Sequence, residues 1–224
     1  MKHSFVAYLT FTLAFTLVAC GGDDSSATRP SDESSSSASL SSSSETLGVV
    51  DPASVVKGTF SDSRDGQTYK TVTIGTQTWM AQNLNFEMAN SYCHEDKISN
   101  CDKYGRYYTW DAAMTACPGG WHLPTWAEFD VLISAVGGAE SAGTILKSTD
   151  GWYNNGNGTD SYGFSILPTG EKSGGVGRQA HFWSSTEFSD TYASYAYLCS
   201  DYSNVAVYNN SKEEKKYIRC VKDN

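Results

Sequence analysis

The chain has 224 residues and a formal net charge of −9, from 16 Lys and Arg against 25 Asp and Glu. That balance speaks against DNA, RNA or an anionic lipid surface as partner, because such partners are held by clustered basic side chains. No internal repeat is visible, and about 170 residues follow a low-complexity N-terminal stretch, the size of one domain with its own core.

In chain order, Lys2 and His3 give a basic start, and Phe5 to Val18 form an apolar stretch that is too short and Thr-rich to cross a bilayer core of roughly 30 Å. Residues 1–19 therefore read as a signal peptide. Leu17-Val18-Ala19-Cys20 matches the bacterial lipobox, which implies that Cys20 becomes the mature N-terminus with a thioether-linked diacylglycerol; the alternative is ordinary secretion with Cys20 left as a buried thiol or a disulfide partner. Two or more acyl chains hold a protein stably where one is marginal. Gly21 in place of Asp beside that cysteine implies passage to the outer membrane, under the sorting rule of some Gram-negative bacteria. Residues 20–50 are rich in Ser, Asp and Gly, with serine runs at 34–37 and 41–44 and no aromatic residue, so they cannot bury enough apolar surface to order themselves. A tether of about 30 residues spans roughly 30 Å. The expected location is the cell outer membrane, lipid-anchored and surface-displayed, with the membrane as partner only through the anchor.

Residues 51–224 form the expected folded domain. Thr68 to Ile74 and Gln77 to Ala81, separated by Gly75-Thr76, read as a β-hairpin with a Gly-containing turn. Tyr107 to Ala116 reads as a helix with Trp110, Ala113, Met114 and Cys117 on one buried face. Pro118-Gly119-Gly120 stops it. A second helix opens at Thr125, where Thr125-Trp126-Ala127-Glu128 is a capping box, followed by a buried stripe of Phe129, Leu132, Ile133 and Val136 and a stop at Gly137-Gly138. Further strands are read at Gly163 to Pro168, His181 to Ser185, Ala193 to Cys199, Val205 to Tyr208 and Tyr217 to Val221. Two helices and many short strands make an α+β domain.

The blocks YGRYYTW, DAAM, CPGGWHLPTWAEF, AGTILKS, YGFSILPTG, FWSST and YIRCVKD occur in that order over about residues 57–223. Together they resemble the Fibrobacter succinogenes major paralogous domain, a bacterial surface module similar in layout to the C-type-lectin-like and formylglycine-generating-enzyme superfamily. The resemblance implies an α+β module with two helices and a twisted antiparallel sheet, and it implies no settled activity, because such a fold hosts lectins and enzymes alike. Five cysteines remain beside Cys20. Cys93 and Cys101, eight residues apart across a polar loop, look like a local clip, and the lectin-like layout implies a bridge from Cys117 to Cys220. By exclusion Cys199 is expected to be a free thiol, a small buried hydrophobe.

No catalytic constellation is read. His94, His122 and His181 fall in no metalloprotease pattern, and no nucleophile elbow or C-x-x-C pair occurs. His122 reads as a packed, hydrogen-bonded connector residue. No metal site and no cofactor are expected, although the oxygen-rich loop 150–160 leaves Ca²⁺ open. In that loop Trp152, Tyr153, Asn154, Asn155, Asn157 and Asp160 combine a stacking face with amide and carboxylate groups, the mixture that holds sugar rings. The structural reading of the same residues is a cluster of left-handed Gly and Asn turns. Two functions follow from the sequence. One is a lipid-anchored envelope protein displaying a binding or adhesion module for extracellular or plant-cell-wall carbohydrate or another envelope protein. The other is a cell-envelope enzyme or enzyme accessory of the formylglycine-generating-enzyme-like superfamily.

Overall fold

In the computed structural model, which describes residues 48–170 and 176–224, the expected hairpin is the organising element. The expected signal peptide, Cys20 and nearly all of the tether lie outside the described residues. Strand β1 (Val56–Ser61) pairs with β2 (Thr68–Ile74), and β2 turns through Gly75-Thr76 into β3 (Gln77–Met80). Gly75 takes φ 61°, which only glycine adopts at little cost. Both faces of this hairpin are used. Val72, Ile74 and Trp79 enter one core cluster, whereas Tyr69 and Met80 enter a second.

The chain continues through β4 (Ser91–Tyr92), α1 (Ile98–Tyr104), β5 (Tyr107–Tyr108), α2 (Trp110–Ala116), β6 (Trp121–His122), α3 (Trp126–Ala135) and α4 (Ala139–Leu146). It ends with β7 (Gln179–Glu187), β8 (Tyr192–Cys199), β9 (Ala206–Ser211), β10 (Lys216–Tyr217) and β11 (Val221–Lys222). These strands make two sheets, in the orders β1-β2-β3-β11-β6 and β4-β5-β10-β7-β8-β9. Pairing is antiparallel apart from β10 beside β7, so the class is α+β as expected. No described helix is by itself long and apolar enough to cross a membrane.

The C-terminal segment joins the two sheets. The expected single strand Tyr217 to Val221 is split, because β10 sits inside one sheet and β11 inside the other. Between them Ile218 O accepts from Leu84 N at 3.0 Å and Cys220 O from Met80 N at 3.0 Å, which pins the crossover to the end of the hairpin. A bridge between Cys117 and Cys220, with Cα atoms 5.9 Å apart, fixes the same crossover to the end of α2. Cys93 and Cys101 form the second bridge, Cα atoms 5.0 Å apart, and tie α1 to the loop before it.

Four α-helices are present among the described residues, where two are expected from the sequence. The segment AGTILKS mostly forms α4, bent by 82° from α3. In α2 the buried residues are Trp110, Ala112, Ala113 and Ala116, whereas Met114 is 44% exposed, so the apolar stripe is rotated from the expected face. The stripe Phe129, Leu132, Ile133 and Val136 is buried as expected, and α3 opens on a complete capping box of Thr125 and Glu128. The expected strand Gly163 to Pro168 is not formed. That stretch makes only one bridge, Ile166 to Lys147, and Ser165 takes φ 54°.

Candidate functional site

The loop around Trp152 is assembled from local hydrogen bonds, and they decide what its side chains are free to do. Trp152 is 5% exposed and belongs to the core cluster that includes Leu146, Phe164 and Ile166. Its indole Nε1 donates to Ser148 Oγ and to Ile166 O, each at 3.1 Å, and buried Lys147 places Nζ 5.0 Å from the ring centroid. The expected stacking face is therefore inside the protein. Asn157 accepts from Trp152 N at 2.9 Å, and Asp160 accepts from Ser165 N at 2.7 Å and also from Ser165 Oγ. Asn154, Asn155 and Asp160 all take positive φ. A Cβ on Gly156 or Gly158 would lie 2.2 Å from the carbonyl of Ser200 or of Lys147, so glycine is required for this loop to pack so closely. Of the six expected residues, only Tyr153, Asn154, Asn155 and Asn157 are exposed, and the Tyr153 ring is covered on one face by Arg178 at 4.0 Å. The turn-cluster reading holds for Asn154, Asn155 and Asp160, and the aromatic anchor of the expected site is corrected to a core residue.

A polar cavity of about 250 Å³ lies elsewhere, between β2, the segment after β3, α1 and the stretch 163–167. Gln67 and Lys70 come from β2 and the turn before it, Gln82, Asn83 and Asn85 from the segment after β3, and Lys103 and Tyr104 from α1. Arg219, from the sheet crossover, forms the floor. Local bonds orient these groups. Gln82 Oε1 accepts from Lys70 N at 2.7 Å, Asn85 N donates to Tyr69 Oη at 3.1 Å, and Asn83 bridges Tyr104 O at 2.8 Å and Arg219 Nε at 2.8 Å. Asn85 Oδ1 is buried and accepts no hydrogen bond from the protein. Gly105, at φ 79°, lets the backbone pass close to the wall, since a Cβ there would lie 2.8 Å from Asn83 Cβ and 2.9 Å from Leu84 O.

Arg219 is the buried cation of this cavity. It is 2% exposed, and burial pushes its guanidinium down to about 9, offset only partly by the field of Asp160. Its Nε donates to Asn83, and its terminal nitrogens donate to the carbonyls of Phe164 and Ser165, the latter at 2.9 Å. None of these residues was among those expected to form a site. The signal lay in the run Tyr217-Ile218-Arg219-Cys220-Val221, where an arginine stands alone inside an apolar stretch that has to be buried.

His122 is placed as a connector, as expected. Nδ1 lies 2.6 Å from Asp223 Oδ1 and Nε2 lies 2.7 Å from Glu128 Oε1. His181 is buried, and burial together with nearby Lys216 holds its ring well below the usual histidine range, so it is neutral at physiological pH. Among the described residues no group of three or more His, Cys, Asp and Glu side chains is placed to hold a metal ion. Cys199 differs from expectation. It carries a disulfide, its partner lying outside the described residues, and no described cysteine is a free thiol.

Residues 72–222 match the family model described as the Fibrobacter succinogenes major domain. The chain belongs to that family. No curated protein and no solved structure matches it. The cavity straddles the start of the Fibrobacter succinogenes major domain. Gln82, Asn83, Asn85, Lys103 and Arg219 fall inside the matched range, whereas Gln67 and Lys70 precede it, in the turn before β2 and in β2 itself.

Proposed function

We propose that the chain is a lipid-anchored protein of the cell outer membrane that displays its Fibrobacter succinogenes major domain as a binding module, with extracellular carbohydrate as the ligand class and a C-type-lectin-like relationship as its structural background. The anchor rests on the sequence at Leu17-Val18-Ala19-Cys20, and the reach on the Ser-rich tether behind it. The observation that carries the binding reading is the polar cavity. It presents side-chain amides from Gln67, Gln82 and Asn85, the groups that exchange hydrogen bonds with hydroxyls in both senses. One of those atoms, Asn85 Oδ1, is buried with no protein donor, and such an atom costs about 1–3 kcal/mol unless something pairs with it. The wall is also stiff. Cys101 lines the cavity from α1 and is bridged to Cys93, and a pre-shaped wall lowers the ordering cost of binding.

Pull-down of the purified full chain on insoluble polysaccharides tests this reading. Saturable retention is expected, weakened about tenfold or more in the Gln82→Ala, Asn85→Ala double variant. Retention that survives that double variant moves the site away from the cavity. Release of soluble sugars by the unaltered protein would replace the binding module with the enzyme reading.

A further inference from the structure

The floor of the cavity is cationic, with Arg219 held by Asn83 and two carbonyls and lying against the Phe164 and Phe182 rings. A buried cation is normally paired with a carboxylate, because taking it out of water costs several kcal/mol. Arg219, almost fully buried, has no carboxylate partner among the described residues. The nearest candidate, Asp160, acts on it only through space and has its own oxygens on Ser165. A guanidinium carries five N–H donors. Three contacts are made by Arg219, to Asn83, Phe164 and Ser165, which leaves donor capacity beside the cavity it lines.

The rim repeats the sign. Lys70 and Lys103 are exposed and line the same cavity, against a single carboxylate, Asp102. The protein as a whole is negative, at −9, but screening confines charge effects to about 8 Å at physiological salt, so the cavity's own groups set the potential a ligand meets inside. Beside these cations stand the neutral amides of Gln82 and Asn85, which suit hydroxyls and do not neutralise an anion. The volume of about 250 Å³ falls just below the roughly 300 Å³ at which pockets for drug-sized ligands begin, and it suits a single sugar ring.

Resting on the binding-module reading above, we infer that the cavity takes a saccharide unit bearing a carboxylate, a uronic acid residue, whose anion is drawn to Arg219, Lys103 and Lys70 and whose hydroxyls meet Gln82 and Asn85. The cation cluster then acts as a selector. A neutral sugar of the same shape would leave the cluster without its anion, whereas the acid gains charge-assisted hydrogen bonds, about twice as strong as neutral ones. Added salt would weaken the acid's binding and leave that of a neutral sugar unchanged.

The test is isothermal titration of the purified full chain with D-galacturonate, D-galactose and inorganic phosphate. Galacturonate is expected to bind at least about tenfold more tightly than either of the others. The Lys70→Ala, Lys103→Ala double variant changes only exposed side chains and is expected to lose most of that margin while its melting temperature stays unchanged. Arg219→Lys, which keeps the charge but not the planar fork, is expected to weaken binding further. Equal binding of galactose and galacturonate, both sensitive to Gln82→Ala, overturns the acid selectivity and leaves the binding module standing. Phosphate binding as tightly as galacturonate overturns the saccharide and leaves a plain anion site. Galacturonate binding that the lysine double variant does not change places the ligand outside this cavity, and no heat with either sugar overturns this inference, whereas the polysaccharide pull-down decides the reading on which it rests.

Discussion

A tryptophan among glycines and asparagines can be a stacking platform or a plug, and the sequence pattern of loop 150–160 is the same for both. What separates them is where the indole N–H goes. In Trp152 it is bound to Ser148 Oγ and Ile166 O inside the core, so the residue fills space between α4 and the 163–167 stretch. Truncating a buried aromatic of this kind costs about 3–5 kcal/mol. For a domain of this size each kcal/mol is worth roughly 2–4 °C, so Trp152→Ala is expected to lower the melting temperature by about 10 °C, with Tyr153→Ala changing it little. Thermal unfolding followed by circular dichroism checks the pair, and an unchanged transition for Trp152→Ala would return the indole to the surface. Arg219 shows the converse. Its isolation in an apolar run was visible in the sequence, but its partners Asn83, Phe164 and Ser165 are supplied by segments more than fifty residues away, which no local pattern reveals.

Elements were legible where their signals are local and long enough. The hairpin at β2 and β3 and the capped helix α3 follow from alternation, a Gly turn and a capping box. Helix α4 was hidden by Gly143, a poor helix former. Its missing side chain lets α4 press against the Ser203 and Asn204 carbonyls, where a Cβ would meet an oxygen at 2.3 Å. Two-residue strands such as β5, β6, β10 and β11 exist only through their partners, so periodicity cannot show them. Where those partners meet, two ties hold the C-terminus. The Cys117–Cys220 bridge closes 103 residues of sequence separation, worth about 4–5 kcal/mol on the chain-entropy account, against about 2–3 for the eight-residue Cys93–Cys101 clip. The second tie is His122 between Glu128 and Asp223. Burial lowers the His122 ring, but hydrogen bonds to Asp223 and Glu128 outweigh it and raise it above the usual 6.5. Burial likewise raises Glu128, and bonds from Thr125 and His122 outweigh it and hold the carboxyl below 4.5. A raised histidine stabilises fully below its unfolded value and loses that contribution as pH rises through its folded value, whereas a depressed carboxylate loses its contribution as pH falls. The clasp is therefore strongest between about pH 4.5 and 6.5. Melting temperature is expected to fall more between about pH 5.5 and pH 8.5 in the natural chain than in His122→Gln, and parallel profiles would remove the clasp from the stability account.

For the whole molecule, the family and the α+β class could be read from ordered sequence blocks, and two of the bridges from spacing and that resemblance. The cavity could not, because its walls come from β2, α1 and the C-terminal crossover, which only the completed fold brings together. The proposed display at a membrane depends on one sulfur. Cys20 is the only cysteine of the six outside the described residues, and Cys199, expected as a thiol, is disulfide-bonded. Acylation of Cys20 and a bridge from Cys20 to Cys199 draw on the same sulfur, so an acylated Cys20 requires Cys199 to be a thiol in the anchored protein. The lipobox predicts the lipid. Intact-mass analysis of protein from the membrane fraction is expected to show a diacylglycerol adduct on the Cys20 peptide, and Cys20→Ser is expected to move the protein out of that fraction. Non-reducing peptide mapping gives the opposing result its own signature: an unadducted Cys20 peptide that travels with the Cys199 peptide until a reductant parts them. That outcome would remove the anchor and leave the binding module without its proposed attachment to the membrane.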